Sequence, residues 1–97
     1  MRKFKILVHA ENLNVYLDGE LVRAGLYVTR VVSARTEPEA RTVVIEQVKN
    51  ISRLRKHMIL DSSDPPVFEV ENVEEIEGSD PLETKPSGLV FYKMPIN

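Results

Sequence analysis

His9 and Glu11 stand two positions apart in the run KFKILVHAEN, and in an extended chain that spacing puts both side chains on one face. An imidazole beside a carboxylate is the minimum for acid–base work and half of a metal site. A zinc site needs three or four donors, and the other histidine, His57, is far along the chain. The expectation is therefore no metal, and a half-exposed strand histidine beside its glutamate.

Arg30 is the next candidate. It interrupts the apolar side of a strand over 26–34, formed by Leu26, Val28, Val32 and Ala34. An arginine there must snorkel outward or meet a carboxylate such as Glu46, because an unpaired buried charge is costly. Arg30, His9 and Glu11 together form the expected ligand-binding set, suited to a small anion or metabolite.

The densest basic cluster is Arg53, Arg55, Lys56 and His57. Cations so placed can meet phosphates. The isoelectric point of about 5.7 and the absence of aromatic residues among them argue against a nucleic-acid partner. Arg53, Arg55 and Lys56 read instead as a solvated helix end and part of a surface for another protein. Asp61, Asp64, Glu74, Glu75, Glu77 and Asp80 offer oxygen ligands, but their spacing is not that of a calcium loop. No serine sits in a nucleophile elbow, and four glycines leave little for a phosphate cradle. No catalytic residue and no cofactor are assigned.

These residues must be positioned by an α+β fold. Residues 2–10 alternate, with Phe4, Ile6, Val8 and Ala10 on one side and Lys3, Lys5, Leu7 and His9 on the other. Asp18-Gly19 lies between two short apolar runs and predicts a turn, either of a small extra hairpin over 14–23 or at the tip of a longer one. A second strand follows over 26–34, carrying Tyr27, Thr29, Val31 and Ser33 on its other face.

Thr36 with Glu39 three residues later forms a capping-box pattern, and Pro38 suits a first helical turn. Ala40, Val43, Val44, Val48, Ile51, Leu54 and Met58 then recur at helical spacing, with Gln47 inside the same arc. One continuous helix over 36–59 is expected, about 34 Å long, although Asn50–Ser52 is a weak point. Pro65 and Pro66 stop it. A third strand over 67–77 changes parity around Glu71–Val73, which predicts a bulge. A polar loop over 78–88, a short strand at 89–92 and a loose tail at 94–97 complete one domain over 1–97.

The prediction is thus a single antiparallel sheet of about four strands, in the order ββαββ, with one long helix on one face. The junction Ser33-Ala34-Arg35-Thr36 followed by Pro38-Glu39-Ala40 resembles the strand-to-capped-helix module of small bacterial α+β proteins, antitoxin-type domains among them. That resemblance spans residues 27–48 and names no family.

Charge is divided along the chain. Residues 1–60 hold eleven Lys and Arg against six Asp and Glu, whereas residues 61–97 hold two against nine. The simplest account is that the halves neutralise each other across one fold. Without cysteine, disulfides are excluded. No apolar run approaches the length of a spanning helix or of a signal peptide's core. The expectation is a cytoplasmic protein with no membrane partner.

One helix covers one side of a sheet. The side with Leu7, Tyr27, Thr29 and Val31 needs another cover, and homodimerisation by that face or by an edge strand supplies it. The functional expectation is a non-catalytic interaction or regulatory module acting with itself or another protein. The alternatives are the anion-binding domain centred on Arg30 and a small enzyme whose site is shared across a dimer interface.

Overall fold

The computed structural model describes residues 1–51, 54, 65–78 and 89–94. It is an antiparallel sheet of four strands with a helix: β1 (Arg2–Leu17), β2 (Glu20–Ala34), α1 (Glu37–Lys49), β3 (Val67–Ile76) and β4 (Val90–Lys93). The strand order is β3-β1-β2-β4, so the long β1–β2 hairpin forms the centre and the two later strands add to its edges.

The residues at 14–23 are the tip of that hairpin rather than a separate one. Leu17 pairs with Glu20 across a two-residue turn in which Asp18 and Gly19 both take positive φ, 52° and 79°. Such a mirror-image turn matches the twist of the flanking strands. Further down, Ala10 faces Leu26 but Leu13 faces Ala24, so Glu11 and Asn12 together oppose Gly25. Asn12 has φ 62° at this bulge, a left-handed conformation that asparagine tolerates better than most residues. The bulge exchanges the faces. Phe4, Ile6, Val8 and Ala10 are buried before it, and Leu13 and Val15 after it.

α1 packs against β1, β2 and β3 and contributes Ala40, Val44 and Val48 to the core, one fully buried residue per turn. Its start is as the sequence predicts. Thr36 is the N-cap, and Glu39 N–H donates to Thr36 Oγ1 at 3.3 Å. Its end is not. The helix stops at Lys49 instead of running unbroken to residue 59. The Asn50 amide donates to the Glu46 carbonyl at 2.8 Å, and Ile51 N–H turns back to Val48 O at 3.2 Å, which tightens and closes the last turn. Leu54, helical and fully buried, carries the apolar phase past this interruption. Met58 lies outside the described residues. Gln47, expected within the apolar arc, is exposed.

The predicted bulge in β3 is present. Leu7 pairs with Asn72 and Val8 with Val70, which leaves Glu71 unmatched. Phe68, Val70 and Val73 face the core from this edge strand, while Glu69, Glu71, Glu74 and Glu75 are exposed. The acidic strand β3 thereby lies along the basic start of β1. Arg2 donates to Glu75 at 2.6 Å, and Lys5 is in register with Glu74. That bond holds the Glu75 carboxyl below its ordinary range and Arg2 above its own. Of the expected C-terminal tail, Met94 is tied down by its N–H, which donates to Arg23 O at 3.0 Å. Among the described residues no helix is long and apolar enough to cross a membrane.

Candidate functional site

Odd-numbered residues of β1 up to the bulge point away from α1, and at His9 this open face becomes chemically distinctive. The sequence predicts a half-exposed histidine here. The structure buries it, leaving His9 only 6% accessible. Its cover comes from the sheet itself. Tyr27, its cross-strand partner on β2, stacks on the imidazole with ring centres 4.5 Å apart and planes 13° from parallel. Tyr92 of β4 closes the other approach, its ring centre 5.9 Å from that of His9 and 5.6 Å from that of Tyr27.

Tyr92 belongs two strands away from His9, and Gly25 lets it reach. Gly25 is the β2 residue paired with Tyr92, and a Cβ on it would overlap the phenol ring. The ring therefore lies across the bare backbone of β2 and brings its hydroxyl to His9 Nε2 in a short hydrogen bond. Burial, above all, pushes the Tyr92 phenol up from its ordinary value, and the acidic neighbours Tyr27, Glu11 and Glu71 add to the effect. The phenol therefore keeps its proton at neutral pH.

The opposite nitrogen, His9 Nδ1, faces carboxylates. Glu71 Oε1 is 3.2 Å away and Glu11 Oε1 is 3.7 Å away. Glu69, directly across from His9 on β3, completes a trio with His9 and Glu11 whose donor atoms all lie within 4.8 Å of one another. In one tautomer Tyr92 O–H donates to Nε2 and Nδ1–H donates towards Glu71. In the other, Nε2–H donates to the Tyr92 oxygen and the Nδ1 lone pair points at the carboxylates. The hydroxyl serves both, because it can donate or accept.

Of the predicted ligand residues, His9 and Glu11 come together. Arg30 does not join them: it is paired with Ile6 and shares the helix-covered side of the sheet, half-buried. Among the described residues it makes no ion pair, and Glu46 is exposed. Tyr27, Thr29 and Val31, the predicted partner surface, lie on the same open face as His9. Arg53, Arg55 and Lys56, the rest of that surface, lie outside the described residues, as do His57, Asp61, Asp64 and Asp80.

Sequence reasoning missed Glu69, Glu71 and Tyr92. Glu69 and Glu71 reach His9 only because β3 pairs with β1, a strand order the sequence leaves open. The signal for Tyr92 was Gly25, which reads as a break in the pattern and is a notch for a ring. The arrangement can bind a cation, or hold and pass a proton between a carboxylate and a phenol. The hollows found elsewhere, beside Arg2 and Gly78 and between α1 and β3, do not adjoin His9. No protein-family model matches this chain, nor does any curated protein or solved structure.

Proposed function

We propose that this protein is a small non-catalytic interaction module that pairs with a second copy of itself through the open face of its sheet. The observation that carries this reading is the asymmetry of the sheet. α1 covers one face, and no described element covers the other, where Leu7, Thr29 and Val31 are half-buried and Tyr27 and Val90 are 39% and 62% accessible. Face pairing is favoured over pairing at the β3 edge, which four exposed glutamates blunt.

The face is also self-complementary in charge. Lys3 and Lys5 stand at one end of β1, with Glu74 of β3 beside Lys5, and Glu11 stands at the other end beside Glu69 and Glu71. A two-fold axis in the plane of the interface and perpendicular to the strands sets the lysine end of each copy over the acidic end of the other. The patch covers about 550 Å² per copy, from strand spacing and rise, and about 1,100 Å² for the pair sits near the lower limit for a specific interface. A micromolar dimer is expected rather than an obligate one. A cysteine-free chain of this kind suits a cytoplasmic setting.

Sedimentation velocity across a concentration series tests the reading. A reversible monomer–dimer equilibrium that Val31→Lys weakens at least tenfold supports it. A monomer at every concentration, or a dimer indifferent to Val31→Lys, removes it.

A further inference from the structure

We propose that His9, Glu11 and Glu69 form a binding site for one zinc-like divalent transition ion, with Tyr92 as the residue that orients the histidine. Three features of the site point to this ligand. The first is the donor set: one imidazole nitrogen and two carboxylates, with donor atoms already within 4.8 Å of one another. Tetrahedral zinc with bonds near 2.0–2.1 Å separates its donors by about 3.3 Å, so the trio must close by roughly an ångström or so. The carboxylates can make that adjustment, since Glu69 is exposed and the Glu11 side chain is 44% accessible.

The second feature is the fixed histidine. Its side chain is 7% accessible and stacked on Tyr27, so it presents Nδ1 in one direction with little freedom lost on binding. Metal-ligating histidines nearly always have their other ring nitrogen held by a hydrogen bond, which sets tautomer and aim. The Tyr92 hydroxyl holds Nε2 in that way. In the metal-free protein Nδ1 lies 3.2 Å from Glu71 Oε1. On binding, the proton resides on Nε2, donated to the Tyr92 oxygen, and the ion binds at Nδ1.

The third feature is charge. Glu11, Glu69 and Glu71 are gathered around a single imidazole, and a divalent cation offsets their mutual repulsion. Imidazole with carboxylates suits zinc-like ions better than calcium, which prefers an all-oxygen shell, or soft copper(I), which prefers sulfur. All three donors come from one copy. Because the same carboxylates meet a second copy's lysines in the proposed dimer, zinc is titrated at a concentration where the chain is monomeric, which keeps the two readings separable.

Isothermal titration of the full chain with zinc near neutral pH provides the test. One equivalent per chain is expected, weakened at least tenfold by Glu69→Gln and by Glu11→Gln, both isosteric changes at solvent-accessible side chains. Tyr92→Phe keeps the ring but removes the hydroxyl, and is expected to weaken binding about 10–100-fold. In nitrogen-detected NMR, zinc should move the His9 Nδ1 resonance to the metal-bound range and leave Nε2 protonated. Absence of zinc binding overturns the proposal. So does binding that survives Glu69→Gln and Glu11→Gln unchanged, or that leaves the His9 resonances where they were.

Discussion

Ile6 and His9 lie on the same strand and are both closed off from water, but by different means. Ile6 is on the α1 side, in one apolar core with Phe4, Val8, Val28, Val44 and Val48. His9 is on the other side, where its neighbours on the strand, Leu7 and Glu11, remain half exposed. No described helix shields it. Two tyrosines from β2 and β4 do, lying flat within the sheet's own surface. Burial beneath α1 is collective and built from aliphatic packing. Burial at His9 is local, and it preserves a set of polar atoms with defined directions. The first arrangement stabilises a fold, and the second fixes the directions of a histidine's two ring nitrogens.

Substitutions separate the two faces by size of effect. Ile6→Ala removes a fully buried side chain and should lower the unfolding free energy by about 2–5 kcal/mol, measured by urea denaturation. Gly25→Ala comes next. Its Cβ collides with the Tyr92 ring, and the overpacking should cost about 1–3 kcal/mol. The distinctive outcome is on the open face: tyrosine fluorescence and the His9 resonances should change, while amide signals of α1 should not. Thr36→Ala removes the N-cap oxygen and should cost about 1 kcal/mol, with no effect on the open face. Val31→Lys sets a second lysine opposite Lys5 and should cost the monomer up to about 1 kcal/mol while disrupting pairing, the inverse of Ile6→Ala.

Titration sharpens the comparison further. Tyr92 has its pKa raised in the folded protein, so the native state holds the phenolic proton more tightly than the unfolded chain does. That contribution is complete below the ordinary value of 10.0 and is lost as pH rises through the raised one. Alkaline denaturation should therefore be shallower in Tyr92→Phe. Glu75 is the reverse case. Its pKa is lowered, so its contribution is present above the ordinary carboxylate range and lost as pH falls through the depressed value. The Arg2–Glu75 pair is exposed and screened. Glu75→Gln should give the smallest change of all, barely resolved in the melting temperature and absent at high salt.

The α1 side was largely legible in the residues. Alternation in β1, the capped start at Thr36 and the parity change in β3 are local patterns, and each corresponds to an element in the structure. The helix end was harder to read, because the apolar phase continues through Leu54 and only the side chain of Asn50, bonding back to Glu46, interrupts the backbone. The open-face site was scarcely legible, for a reason of register. Counting back from the Asp18-Gly19 turn sets His9 opposite Val28. The bulge at Glu11–Asn12 shifts the pairing by one and delivers Tyr27 instead. Glu69 and Tyr92 then arrive from strands distant in sequence, and their proximity depends on strand order, which pattern alone does not specify.

Residue-resolved dilution by amide NMR tests most directly whether the open face is the working face. Between micromolar and millimolar protein, signals of Leu7, His9, Tyr27, Thr29 and Val31 should shift together along one binding curve while those of Ala40, Val44 and Val48 stay fixed. Shifts centred on α1, or no concentration dependence anywhere, would contradict the account.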